Sequence, residues 1–142
     1  MAYCVSITKA GAPSVLEIQD IEVPSPKEGE ICIEVHYAGI NFADTLMRLG
    51  LYQPRPPYPF TPGYEVSGVV HSVSKNTRGE FEIGQRVVAA MPTGGQCSHV
   101  AVKTSRVIAI PDEMGLDEAA AMPVTYLTSH HMLHHLGNLR KE

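Results

Sequence analysis

Little in this sequence speaks for a metal ribbon, a membrane span or a nucleic acid. Cysteine is scarce: Cys4, Cys32 and Cys97 are odd in number and far apart. They form no C-x-x-C pair, so neither a zinc ribbon nor a disulfide framework is encoded. A reducing cytosol is the compartment this implies, and a cytoplasmic location is the expectation. No apolar run approaches the ~20 residues that span a bilayer. The opening residues, Met1-Ala2-Tyr3-Cys4-Val5-Ser6, lack a basic stretch ahead of an apolar one, so no secretory signal is read there. Positive charge is not in excess. The net charge is −4 over 142 residues, which removes the electrostatic case for nucleic acid or an anionic membrane surface. A glycine-rich phosphate loop is also missing, with no G-x-G-x-x-G run anywhere. A pyrophosphate needs backbone N–H groups at a helix N-terminus, and the sequence offers no such place.

What is present reads as one globular domain: 44% hydrophobic and 18% charged residues over a length sufficient for a core. Short β-rich runs separated by turn signals fill the first hundred residues. They are Cys4 to Lys9, Val15 to Val23, Glu30 to Tyr37, Val66 to Val73, Arg86 to Ala90, Gln96 to Val102 and Arg106 to Ile110. In Glu30 to Tyr37 the apolar Ile31, Ile33 and Val35 alternate with Cys32, Glu34 and His36, the pattern of a half-buried strand. Val15 to Val23 alternates too, with a phase slip near Asp20. Ser74–Gly84 is expected to be a hairpin connection. Helix signals occur twice. Asn41 to Gly50 opens on an N-cap with an acid three residues on and closes on glycine. From Leu116 the turns vanish, Asp117 and Glu118 suit a helix start, Pro123 restarts or kinks the helix, and Val124 to Leu136 forms a second one. The proline-rich run Gln53 to Pro62 implies a stiff, extended loop. Many short strands with a helical tail predict a small barrel or sandwich.

Four ordered blocks carry a resemblance. Gly39-Ile40-Asn41-Phe42-Ala43-Asp44 with Arg48-Leu49-Gly50-Leu51-Tyr52 is the first, and Pro62-Gly63-Tyr64-Glu65-Val66-Ser67-Gly68-Val69-Val70 the second. Gly84-Gln85-Arg86-Val87 and Ala119-Ala120-Ala121 with Tyr126-Leu127-Thr128-Ser129 complete the set. Together they resemble the zinc-free branch of the medium-chain dehydrogenase/reductase superfamily, of the quinone oxidoreductase or enoyl reductase type. The resemblance implies a mainly β fold with helices: a GroES-like, partly open β-barrel plus a C-terminal helical arm leading toward a Rossmann domain. On that reading residues 1–123 are the GroES-like substrate domain and residues 124–142 the connecting helix. The chain is then the N-terminal part of an NADPH-dependent enzyme and inactive alone. The expected substrate is a quinone, enone or enoyl thioester, and a homodimer of the complete protein is allowed. The alternative is a non-catalytic GroES-like binding module.

The resemblance also bears on metal. The superfamily's catalytic zinc ligands would fall at Asn41, Tyr64 and Val124, and an amide, a phenol and an isopropyl group make no zinc site. No metal is expected there, and Glu65 is read as structural. Hydride addition to an enone or quinone then needs a hydrogen-bond donor for the developing enolate and a later proton. The resemblance assigns Asn41 and Thr128 to the nicotinamide side, and Tyr52, Tyr64 and Asn41 to the catalytic side. Each has a plainer reading: Asn41 as a helix cap, Tyr52 as a packing residue with a wet hydroxyl, Thr128 bonding its own i−4 carbonyl. Asp44 and Arg48 read as a surface pair at i, i+4. His130, His131, His134 and His135 form H-H-x-x-H-H, with i, i+4 spacings that can bind a transition metal. The reading preferred for them is a solvated or partner-facing side of a helix whose other side, Tyr126, Leu127, Met132, Leu133 and Leu136, is packed.

Overall fold

The computed structural model describes the whole chain apart from Arg55, Arg78, Lys141 and Glu142, and apart from the side chain of Asn76. Strands dominate: β1 (Ala2–Ile7), β2 (Leu16–Ile21), β3 (Glu30–Ala38), β4 (Glu65–Val73), β5 (Arg86–Ala90), β6 (His99–Lys103) and β7 (Val107–Ala109). Five of them form an antiparallel sheet in the order β6-β3-β4-β5-β7. It curls into a half-barrel, the GroES-like architecture anticipated from the motifs. β1 and β2 form a separate ribbon, joined to the rest through bridges from Cys4 to Cys97 and from Ile7 to Phe60.

The concave side of the sheet holds the main core: Ile31, Ile33, Val66, Val70, Val87, Ala89, Met91, Val102 and Val107. Ile31, Ile33, Val66 and Val87 are wholly buried, and each such side chain is worth about 1.5–3 kcal/mol. A second cluster, Ile7, Val15, Met47 and Phe60, joins the ribbon to helix α1 (Phe42–Arg48), with Tyr52, Tyr58 and Tyr64 packed on it. The short helix α2 (Leu116–Ala120) lies over β3, β4 and β5 and buries Ala119 and Ala120. The Arg86 guanidinium fixes the approach to it by donating to the carbonyls of Pro111 (3.1 Å) and Asp112 (2.7 Å) and to that of Met114.

Several local expectations need correction. Cys32 is not on a wet face but fully buried, because Cys97, bridged to Cys4, closes over that side of β3. The alternation in Val15 to Val23 shrinks to β2, whose residues Leu16 to Asp20 are all exposed. The ribbon has no second layer outside it, so the pattern there reports no burial. Asp44 and Arg48 are not a surface pair. Asp44 is buried, and Arg48 donates to the carbonyl of Gly11. The tail divides as Pro123 requires: α2 ends, α3 (Met122–His130) begins with the proline in its first turn, and His131–Leu136 continues as a π-helical stretch. Past Val124 neither side of this arm is buried: Tyr126, Leu127, Met132, Leu133 and Leu136 are all exposed along with the histidines.

Candidate active site

Two short segments meet at the mouth of the half-barrel: the start of α1 and the turn entering β4. The sequence dictates the meeting. Pro62-Gly63 makes a turn in which Gly63 takes φ +104, a conformation that side chains rarely adopt. A Cβ there would also lie 2.7 Å from the Gln96 backbone nitrogen. The turn aims the Gly63 N–H at Asp44, whose Oδ1 accepts it at 2.9 Å. The other oxygen, Oδ2, accepts the Asn41 N–H at 2.8 Å, the return half of a capping box. Asp44 therefore fastens the helix start to the glycine turn, from a position that is 6% exposed.

Glu65 makes the second fastening. It opens β4 and is 3% exposed. Its Oε1 accepts from Asn41 Nδ2 at 2.8 Å and its Oε2 from the Val124 N–H at 2.7 Å. The carboxylate thus binds α1 and α3 to the sheet at one point. Gly39 makes room for it, since a Cβ on that residue would overlap the Glu65 side chain. Two N–H donors offset the cost of burying the charge.

The predicted residues fall into three places. Asn41 is in the Glu65 cluster, with one amide hydrogen committed to the carboxylate. Tyr64 and Tyr52 form an edge-to-face pair with ring centroids 6.4 Å apart. The Tyr64 hydroxyl donates to Met47 Sδ at 3.5 Å, a weak acceptor. Burial pushes the Tyr64 phenol well above its ordinary range, and the neighbouring Tyr52 hydroxyl and the Asp44 charge push the same way. It is a neutral O–H at physiological pH. Thr128 stands exposed on α3, one turn beyond Val124, outside this hydrogen-bonded group. The sequence shows Asp44 as the acid three residues past the N-cap, but nothing local in it shows that the same carboxylate also receives the Gly63 N–H.

The chemistry of the donor set does not suit a catalytic zinc. Around Glu65 stand an amide N–H and a backbone N–H, and Tyr64 turns its oxygen to a thioether. None of these supplies the thiolate or imidazole that zinc requires. An apolar groove lies between β5, β7 and α3, lined by Val88, Ile108, Met114, Met122 and Leu127. It contains none of the predicted site residues.

Residues 27–136 match the model of a family described as the alcohol dehydrogenase GroES-like domain. The chain is 35% identical over 131 residues to the mouse synaptic vesicle membrane protein VAT-1 homolog-like, covering 92% of this chain and 31% of that relative. It is 39% identical over 141 residues to the highly reducing polyketide synthase apmlA of Arthrinium phaeospermum, covering 96% of this chain and 6% of the synthase. Among solved structures, the quinone oxidoreductase from Thermus thermophilus, also solved as a complex with NADPH, superposes with a TM-score of 0.82 at 36% identity. That match covers 99% of this chain and 43% of the oxidoreductase. The chain therefore spans less than half the length of each of these proteins.

Proposed function

The chain belongs to the alcohol dehydrogenase GroES-like domain family, among the quinone oxidoreductases and enoyl reductases of the medium-chain superfamily, and from that premise we propose that it is the substrate-binding part of an NADPH-dependent, zinc-independent reductase of quinones, enones or enoyl thioesters. The observation that carries the proposal is the Asn41–Glu65–Val124 cluster. It offers N–H groups where a metal enzyme offers thiolate and imidazole. NADPH, when bound, supplies the hydride, and no glycine-rich loop that would hold its phosphates is encoded in these residues.

The residues of this chain have separable tasks. Glu65 orients the Asn41 amide by taking one hydrogen of its Nδ2. The second hydrogen remains for an acceptor in the cleft, such as a nicotinamide carboxamide or an enolate oxygen. Thr128, exposed on α3, provides a hydroxyl on the cofactor side. Tyr64 is held protonated by burial and by Tyr52. Its hydrogen bond to Met47 is weak enough to exchange for a substrate oxygen. The Tyr52–Tyr64 pair then gives the cleft both an aromatic wall and a proton source. Residues 124–142 are read as the connecting helix toward a cofactor domain. The three free thiols suit a cytoplasmic, reducing compartment.

The test is NADPH oxidation by the complete protein with a quinone, an enone and an enoyl thioester, before and after exhaustive chelation. The proposal requires turnover of one of these classes that survives chelation. Turnover abolished by chelation and restored by zinc refutes it. Absence of turnover with all three favours a binding module.

A further inference from the structure

We propose that Glu34, His71 and His99 form a surface site for one divalent transition-metal ion of the zinc or cobalt class, separate from the Asn41–Glu65–Val124 cluster described above. The three come from adjacent strands, β3, β4 and β6. Glu34 lies directly opposite His99 in the β3–β6 register. His71 lies where the β3–β4 register shifts: Cys32 pairs with Ser72, Ile33 pairs with Val70, and His71 is the extra residue between them. Such a bulge re-aims a side chain. Here it brings the His71 ring to 5.0 Å from that of His99, edge to face. One ligand atom from each of the three residues lies within 4.8 Å of the others.

The donor set suits the ion. Two imidazoles and a carboxylate are a recurrent set for zinc, with a position left for water. Ligands at about 2.0–2.1 Å in tetrahedral geometry lie roughly 3.3 Å apart. Glu34 and His71 are both exposed, so side-chain rotation can close the difference without moving the sheet. His99 is the fixed ligand. Its Nδ1 meets Ser98 Oγ at 3.1 Å, and that hydroxyl in turn accepts the Tyr3 N–H at 2.9 Å. A second partner of this kind orients a metal-binding imidazole and leaves Nε2 as its donor.

The competing ligands are the helix histidines, where His130/His134 and His131/His135 face each other at 4.6 and 5.1 Å. The experiment removes them first. Zinc chloride is titrated calorimetrically into the untagged chain carrying His130→Asn, His131→Asn, His134→Asn and His135→Asn. One saturable equivalent is expected, with cobalt(II) giving the visible bands of a four- or five-coordinate ion. Adding His71→Ala weakens zinc binding at least about tenfold, Glu34→Gln weakens it less, and His36→Asn, on the same strand but outside the triad, leaves it unchanged. Circular dichroism checks that each variant is folded. In the unmutated chain, zinc must perturb the ring resonances of His71 and His99 in an NMR titration. Absence of saturable binding in the four-histidine variant, binding unchanged by His71→Ala, or zinc shifts confined to the helix histidines overturns the proposal.

Discussion

If Glu65 is held by Asn41 and Val124 as described, Asn41→Asp is a damaging substitution although it changes one atom. A helix cap alone would tolerate it, since Asn and Asp serve almost equally well there. In the structure, Asn41 Nδ2 donates to Glu65 Oε1 at 2.8 Å, and Glu65 is 3% exposed. Aspartate removes that donor, and a hydrogen bond to a charged group is worth about 1.5–3 kcal/mol. It also places a second carboxylate against a buried one, which brings the total to about 3–5 kcal/mol. The urea midpoint should fall by roughly 1–3 M. The isosteric reverse, Glu65→Gln, loses less, because one oxygen remains for the Val124 N–H. The double variant Asn41→Asp/Glu65→Gln restores a donor and an acceptor with their polarity reversed. It should recover at least about 1.5 kcal/mol relative to the sum of the single changes. Urea melts decide the matter. An Asn41→Asp chain as stable as wild type at neutral pH, or a double variant equal to the sum of the singles, refutes this account of the Asn41–Glu65 hydrogen bond.

Other expectations follow from the same structure. In the complete enzyme, Asn41→Ala should reduce turnover about a hundredfold or more, the cost of losing a positioned donor to a developing oxyanion, while the protein stays folded; steady-state rates beside thermal melts check this. This chain alone should show no micromolar NADPH binding by calorimetry, since no glycine-rich phosphate loop is encoded in it. Cys97 should resist alkylation at mildly alkaline pH. Burial, with Cys4 and Cys32 nearby, pushes its thiol up to about 12 against a smaller lowering by a backbone hydrogen bond at His99, and the carbonyls of Gly94 and His99, each 3.0 Å from Sγ, accept from the thiol. Its folded value lies above its unfolded one, so the stability it contributes is complete below about pH 9 and is lost as pH rises toward 12. Iodoacetamide trapping read by mass spectrometry, with and without urea, measures the protection.

The barrel was legible because its strands carry period-two patterns and its turns carry glycine and proline at positions that demand them. Pro62-Gly63 and Gly50 marked boundaries that the structure keeps. Pro123 marked the division between α2 and α3. Pattern failed where a residue's surroundings come from distant sequence. Nothing near Cys32 announces that Cys97 will close over it. Nothing near Asp44 says that the glycine turn nineteen residues on will supply its second donor, so a local i, i+4 pair looked sufficient. The His71 bulge is similarly invisible, because a register shift belongs to two strands and is written in neither alone. Asn41 was singled out for its motif and Glu65 was read as structural, and the buried Glu65 carboxylate indeed accepts from Asn41 and Val124. The hydrogen bond joining them explains why both residues stand in the motifs.

The ribbon of β1 and β2 has a consequence for the solution behaviour of the protein. β2 hydrogen-bonds only to β1 among the described strands, so its outer side presents unused backbone donors and acceptors, and Ile18 beside them is 77% exposed. An open edge of this kind is a template on which a foreign strand can grow. Glu17, Asp20 and the adjoining Glu22 line this short edge with negative charge, and a like-charged copy approaching in register meets repulsion before any backbone pairing forms. The acids that look like ordinary surface residues are gatekeepers, and neutralising them together would convert a harmless margin of the fold into a site of self-association.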